Sequence, residues 1–198
     1  MFREIELKAV VDDLDERRRR LEAAGAVLVF EGRLEDRRYD TPDRSLALRD
    51  HVLRVRRYEG TGGVRAELGF KGPTEYVEGF KQRGELAAAT TEPEALARIL
   101  EQLGYIVTRA IDRRIAQYEL RGAVVRFEEY PRMDTLVEVE GEPGSIERAI
   151  EAIGLPREAF TVDRLPEFVG RFEHRTGQQA ALCDDELAGR VRYAVEDA

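Results

Sequence analysis

Carboxylate side chains occur in pairs, separated by one apolar residue, at two distant points of the chain. Glu4 and Glu6 flank Ile5 near the N-terminus, and Glu138 and Glu140 repeat this spacing late in the sequence. No histidine or thiol stands beside them, and Mg²⁺ and Mn²⁺ prefer oxygen ligands of this kind. The carboxylate pairs therefore predict a site for a divalent cation.

Basic side chains show a similar spacing in the middle of the chain. Arg54 and Arg56 lie two residues apart, as do Lys81 and Arg83, and Lys71 stands between these pairs. Guanidinium and ammonium groups bind phosphate oxygens, and the same oxygens bind divalent cations. A phosphate chain would therefore bridge the basic cluster and the carboxylates.

A side-chain period of two indicates β-strands with unlike faces. In an ordinary half-exposed sheet, the charged face meets solvent. In a closed sheet, the apolar faces pack outward against helices and the charged faces line the interior. Repetition over six strands, with acids and bases largely on different strands, favours the closed sheet. Such an interior must hold water and counter-ions, because buried like charges are costly.

The hydrophobic pattern and the turn residues predict about eight strands with a few helices, an α+β domain on an antiparallel sheet or barrel. Helices are expected at 12–24, capped by Asp12 or Asp13, and after caps at Thr91, Ser145 and Asp163. Residues 1–177 are expected to form the domain, with 178–198 as its C-terminal helix or tail. The predicted strands cover residues 2–11, 26–40 (one strand or two), 52–58, 64–71, 78–88, 105–119, 123–129 and 135–141, with Gly72 and Pro73 marking a turn.

These segments, in this order, resemble the CYTH superfamily, also called triphosphate tunnel metalloenzymes, which includes class IV adenylyl cyclases and thiamine triphosphatases. One short motif is weak evidence, but seven segments in the family's order are strong. The match spans about residues 2–141. The segments are Glu4-x-Glu6-x-Lys8, Tyr39-Asp40-Thr41-Pro42, Leu53-Arg54-Val55-Arg56, Phe70-Lys71-Gly72-Pro73, Arg83-x-Glu85, Phe127-Glu128-Glu129 and Val137-Glu138-Val139-Glu140-Gly141.

The resemblance implies an eight-stranded antiparallel β-barrel, the triphosphate tunnel, with helices packed outside. It assigns catalysis to Lys8, Glu6, Arg54 and Arg56. Arg113 is favoured over Arg109 and Arg114 as the basic residue of its strand, and Arg65, Glu67 and Glu85 are expected in internal ion pairs. The implied metal ligands for Mg²⁺ or Mn²⁺ are Glu4, Glu6, Glu128, Glu138 and Glu140, and the implied phosphate-binding residues are Lys8, Arg54, Arg56, Lys71, Lys81, Arg83 and Arg113.

Three functions remain open at this point. The first is hydrolysis of inorganic or organic triphosphate, and the second is a class IV adenylyl cyclase that converts ATP to cyclic AMP and pyrophosphate. The third is a non-catalytic module that binds a nucleotide or polyphosphate. The expected partner is a triphosphate-containing small molecule, such as tripolyphosphate, ATP or thiamine triphosphate, and family members often form homodimers.

Composition narrows the alternatives. The formal net charge of −8 disfavours a general nucleic-acid binder. The single cysteine, Cys183, excludes a disulfide framework and a multi-cysteine zinc site. No apolar run predicts a membrane span and no signal core is visible, so a cytoplasmic location is expected.

Other polar residues have plainer interpretations. A P-loop motif is missing, so phosphate is not expected at such a loop. The run Arg17–Arg20 is predicted to be a solvated helix face. His51 and His174 are expected at the surface, although the closeness of His51 to Arg54 in sequence leaves an approach to the site open. Tyr39 is either an aromatic residue of the site or part of the core.

Overall fold

The computed structural model describes residues 2–77 and 80–194, except for the side chains of residues 2–4, 77 and 80–82. Eight antiparallel strands in the described part close into a barrel, in the order β1-β5-β4-β3-β2-β6-β7-β8. β1 pairs with both β5 and β8, and this closes the sheet. The strands are β1 (Phe2–Val10), β2 (Val27–Asp40), β3 (Val52–Gly60), β4 (Gly63–Val77), β5 (Phe80–Thr90), β6 (Ile106–Leu120), β7 (Ala123–Glu129) and β8 (Leu136–Gly141).

Helices cover the apolar outer faces of the strands. Leu21 of the first helix and Ile150 and Ile153 of the third are buried in one core with Val125 and Val139 of the sheet. The second helix packs against Tyr39 and Val55. The apolar faces therefore point outward, and the charged faces are left to line the interior. The helices are α1 (Leu14–Ala23), α2 (Pro93–Gln102), α3 (Pro143–Ile153), α4 (Leu165–Thr176) and α5 (Asp184–Leu187).

The C-terminal part of the described chain packs against β6 and β8 of the barrel. Phe168 and Phe172 of α4 pack with Ile111 of β6 and Leu136 of β8. The pairing of β6 with β7 begins at Arg114, so β7 does not reach Asp112. The backbone N–H of Asp112 donates instead to the carbonyl of Leu182. The segment 180–183 thus satisfies backbone groups that the sheet leaves open.

Two features of the strands differ from the sequence-based prediction. β2 is one continuous strand with a register shift between Leu28 and Phe30. Gly72 and Pro73 do not end β4, which continues to Val77 after an irregularity between Lys71 and Thr74. The prediction of a turn there was wrong. Proline has no N–H to donate to the neighbouring strand, and at a bulge no such hydrogen bond is required, so the strand continues.

The predicted cap of α1 is confirmed, since the side chain of Asp13 accepts the N–H of Glu16 at 3.0 Å. The other three predicted caps, Thr91, Ser145 and Asp163, were wrong. α2, α3 and α4 begin after Glu92, Glu142 and Arg164, without a side-chain cap, and each has proline in its first turn. Proline has no N–H to satisfy and its φ suits a helix start, so these helices begin without a capping oxygen.

Candidate functional site

A cavity of about 210 Å³ lies inside the barrel and is lined by residues from all eight strands and the start of α4. The described residues that line it include nine lysines or arginines and six aspartates or glutamates. The chain as a whole has a net charge of −8. The charged residues that line the cavity are therefore net positive, whereas the whole protein is net negative. The low-dielectric walls of a cavity strengthen the electric field of such a lining.

At one side of the cavity, Lys8 joins two strands through their carboxylates. Its Nζ atom lies 3.1 Å from Oε1 of Glu6 and 2.5 Å from Oε2 of Glu138. Arg126 donates to the other oxygen of Glu138 at 2.6 Å. Burial alone would raise the pKa of Glu138, but Lys8 and Arg126 outweigh burial and lower this pKa well below its usual value. Glu138 is therefore ionised in the interior.

Glu128 on β7 provides a third buried carboxylate. Its Oε2 accepts the hydroxyl of Tyr130 at 2.6 Å. Its Oε1 lies 3.0 Å from Nε of Arg113, yet the N–H is not aligned, so Oε1 has no hydrogen-bond partner in the described structure. A buried carboxylate oxygen in this state is costly unless a further ligand contacts it.

The arginines of β3 surround Asp36 of β2. Oδ2 of Asp36 lies 3.3 Å from Nε of Arg56 and 3.7 Å from Nη1 of Arg54. Burial would raise the pKa of Asp36, but Arg54, Arg56 and Arg38 together lower it below its usual value. Asp36 therefore acts as an internal counter-ion that holds the two guanidinium groups toward the cavity.

Further ion pairs orient the remaining bases. Lys71 pairs with Glu85, and Arg56 lies 3.7 Å from Glu67, so the two expected internal acids do form ion pairs. Arg65 instead stacks on an aromatic ring, 3.7 Å from the ring centroid of Tyr58.

Backbone oxygens take up the donors of Arg83 on β5. It donates to the carbonyls of Gly72 and Asp50. Arg83 thus also holds the irregular part of β4 in place.

The structure brings most of the predicted site residues together. Glu140 faces Glu6 across the β1–β8 pairing but is not among the cavity-lining residues. Glu4 and Lys81 have described backbones, in register with Arg83 and Glu6, while their side chains lie outside the described set. The predicted residues that line the cavity are Glu6, Lys8, Arg54, Arg56, Lys71, Arg83, Arg113, Glu128 and Glu138.

The structure also separates the three competing arginines of β6. Arg113 lines the cavity, as predicted. Arg114 is exposed, and Arg109 forms a buried pair with Glu186 at 3.1 Å.

Sequence reasoning missed several cavity residues. Asp36 and Arg38 lie two apart on β2, and the same period-two rule predicts that they share the inner face. Arg164 precedes α4 and reaches the cavity through tertiary packing, which no local pattern predicts. The surface placement of His51 was wrong, because its ring lies edge-on to Phe70, 5.2 Å between centroids, and lines the cavity.

The donor chemistry of the cavity fits a divalent cation. The side chains of Glu6, Glu128 and Glu138 offer buried carboxylate oxygens, including the unsatisfied Oε1 of Glu128. Mg²⁺ and Mn²⁺ favour such ligands. In the described side chains, no three Asp, Glu, His or Cys groups converge as a preformed cluster. The ammonium group of Lys8 lies between two of the carboxylates.

Among the described residues, every helix is too short or too polar to span a membrane.

The arginines of α1 were expected on a solvated helix face, and this is confirmed only in part. Arg19 pairs with Glu16 at the surface, whereas Arg18 reaches Glu31 and the hydroxyl of Tyr118. This basic run therefore helps to fix α1 on the barrel.

The model of the CYTH domain family matches residues 3–153. No curated protein sequence matches the chain.

Solved structures share the fold at low sequence identity. PH1012 from Pyrococcus horikoshii OT3 is 21% identical with a TM-score of 0.67, over 83% of this chain and 98% of that chain. A proposed adenylate cyclase from Vibrio parahaemolyticus is 19% identical with a TM-score of 0.71, over 84% and 97%. The adenylyl cyclase candidate HpAC1 from Hippeastrum, with a dominant triphosphatase activity, is 16% identical with a TM-score of 0.61, over 92% and 99%.

Proposed function

The chain belongs to the CYTH family, and from this premise we propose that it is a divalent-cation-dependent triphosphatase that hydrolyses inorganic triphosphate or a triphosphate ester. One observation carries the proposal: a protein of net charge −8 encloses a cavity whose described lining has nine basic and six acidic residues. A compact polyanion with a bound cation satisfies both sets of charges. Triphosphate has this chemistry, since its oxygens bind guanidinium groups and metal together.

The size of the cavity supports a small substrate. Its volume of about 210 Å³ is below the roughly 300–1,000 Å³ typical of pockets for drug-sized ligands. The interior therefore suits a phosphate chain better than a whole nucleoside triphosphate. An organic group, if present, would extend out of the cavity.

The basic residues would bind and orient the phosphate chain. Arg54 and Arg56 are aimed by Asp36, and Lys71 by Glu85. Charged donors that are held in place before the substrate arrives stabilise developing charge without reorganisation. Phosphoryl transfer relies mainly on such positioning and charge stabilisation. These arginines would thus act in binding and in the transition state.

A divalent cation, held by Glu6, Glu128 and Glu138 with Glu4 and Glu140 as further candidates, would neutralise phosphate charge and lower the pKa of a bound water. Lys8 presents its N–H donors between Glu6 and Glu138. From there it would orient the attacking water or a phosphate oxygen. Its position at the junction of the carboxylates and the bases suits that role.

Product analysis tests the proposal. The protein is incubated with Mg²⁺ or Mn²⁺ and either tripolyphosphate or ATP, and products are separated by ion-exchange chromatography. Orthophosphate from tripolyphosphate supports the triphosphatase. Cyclic AMP with pyrophosphate from ATP would establish the cyclase instead, and metal-dependent binding without any product would establish a binding module.

A further inference from the structure

Three arginines lie side by side across neighbouring strands of the barrel. Arg38 of β2 is directly opposite Arg54 of β3 on one side and directly opposite Arg109 of β6 on the other. Like charges in directly opposite positions destabilise a sheet. The fold therefore carries a local cost at Arg38, in the middle of the row.

Each arginine of the row has a nearby acid. Arg109 pairs with Glu186 at 3.1 Å, and Arg54 lies 3.5 Å from Glu85. Arg38 lines the cavity. Asp36, the acid that favours its charge, also lies near the two arginines of β3.

The electrostatics of Arg38 are opposite in direction to those of its neighbours Arg56 and Arg113. Burial and the nearby Arg54, Arg113 and Arg109 outweigh Asp36 and lower the pKa of Arg38 to about 10. Despite burial, Tyr58 and Asp36 raise the pKa of Arg56, and Glu128 and Tyr130 raise the pKa of Arg113. Without a ligand, the folded protein thus disfavours the positive charge on Arg38. An anion bound in the cavity would reduce the repulsion between Arg38 and its neighbouring arginines.

On the basis of the proposed function, we propose that Arg38 is a further substrate-binding residue, which contacts phosphate oxygens of the triphosphate beside Arg54. Its guanidinium group offers two parallel N–H donors to a phosphate, and such charge-assisted contacts are strong. The repulsion in the free protein is offset when the anion binds. A functional site that costs stability in this way is a common trade-off.

A purely structural arginine makes the opposite prediction. If Arg38 served packing or an ion pair in the free protein, a neutral substitution would lower the melting temperature. If it serves anion binding, Arg38→Met removes repulsion. The melting temperature of the free protein then stays the same or rises, while stabilisation by the anion falls.

The experiment uses wild type, Arg38→Met, Arg38→Lys and the control Arg114→Gln, whose side chain is exposed on β6. Thermal unfolding is followed with and without inorganic tripolyphosphate in EDTA, so that the ligand is not hydrolysed, and tripolyphosphate affinity is measured by calorimetry in the same buffer. We expect Arg38→Met to bind about tenfold or more weakly, with no loss of melting temperature in the free state. Arg38→Lys should recover part of the affinity, because it keeps the charge, and Arg114→Gln should match wild type.

Two results would overturn the inference separately from the proposed function. One is Arg38→Met with wild-type affinity for tripolyphosphate, and the other is a lower free-state melting temperature together with unchanged ligand stabilisation. Failure of wild type itself to bind tripolyphosphate would overturn the proposed function, and this inference with it.

Discussion

Nζ of Lys8 on β1 lies 2.5 Å from Oε2 of Glu138 on β8. The pairing of these two strands closes the barrel, and the ion pair links them inside the cavity. Arg126 holds the second oxygen of the same carboxylate at 2.6 Å. The carboxylate is therefore fixed in the cavity before any cation or phosphate binds.

The first prediction concerns this carboxylate. Glu138→Gln removes a charged metal donor and leaves Lys8 and Arg126 with a neutral acceptor, so the rate of tripolyphosphate hydrolysis should fall about 100-fold or more. The amide still accepts hydrogen bonds, and circular dichroism should show a folded protein. Glu129→Gln, an exposed glutamate on β7, is the control and should retain activity. Unchanged turnover in Glu138→Gln would remove this residue from the site.

The second prediction concerns metal removal. The described interior carboxylates Glu6, Glu128 and Glu138 each lie near a basic side chain, so the fold does not depend on a cation to balance them. Chelation with EDTA should abolish hydrolysis and leave the far-UV circular dichroism spectrum unchanged. Adding Mg²⁺ or Mn²⁺ should restore hydrolysis. Full activity in EDTA would contradict the cation-dependent mechanism.

The third prediction follows from Asp36. Its pKa is lower in the folded protein than its ordinary value of about 3.8, so it stabilises the fold fully above about pH 4. As the pH falls below 4 toward the folded pKa, protonation removes that contribution. Asp36→Asn should therefore be less stable than wild type at pH 7 and show a smaller loss of stability between pH 5 and 2.5. Urea unfolding across this range measures both effects, and equal slopes in the two proteins would contradict the assignment.

The fourth prediction concerns the C-terminal segment. Arg109 and Glu186 have side chains only 3% and 2% exposed and tie residues 180–194 to β6. Breaking one partner of a buried ion pair costs about 3–5 kcal/mol, so Glu186→Gln should lower the free energy of unfolding by at least about 2 kcal/mol. Its neighbour Asp185 pairs with Arg190 at the surface, and Asp185→Asn should cost less than about 1 kcal/mol. Similar values for the two variants would contradict the buried anchor.

The sequence was most informative where the side-chain period was two. Alternation correctly predicted an inner face for the charged residues Glu6 and Lys8, Arg54 and Arg56, and Glu138. The preference for Arg113 over Arg109 and Arg114 came from the family resemblance instead, because Arg109 and Arg113 share one face of a period-two strand. A closed barrel requires each strand to alternate between interior and exterior, and that constraint is local enough to be visible in the chain.

Features that depend on distant packing were not predictable in this way. Arg164 and Glu186 come from segments after the last strand, and only the folded chain brings them to the barrel. His51 reaches the cavity because an irregular connection after β2 places its ring against Phe70. Three helix starts were also misplaced, because proline in the first turn replaced the capping oxygens that the pattern offered.

Tripolyphosphate binding by Arg56 and Arg57 variants tests the central claim most directly. These consecutive residues of β3 face opposite ways: Arg56 lines the cavity and contacts Asp36, whereas Arg57 pairs with Glu59 on the outside. Calorimetry in EDTA, which prevents turnover of the ligand, should show that Arg56→Gln weakens tripolyphosphate binding about tenfold or more, whereas Arg57→Gln binds as wild type does. Equal weakening by both substitutions, or by neither, would contradict an anion site inside the barrel.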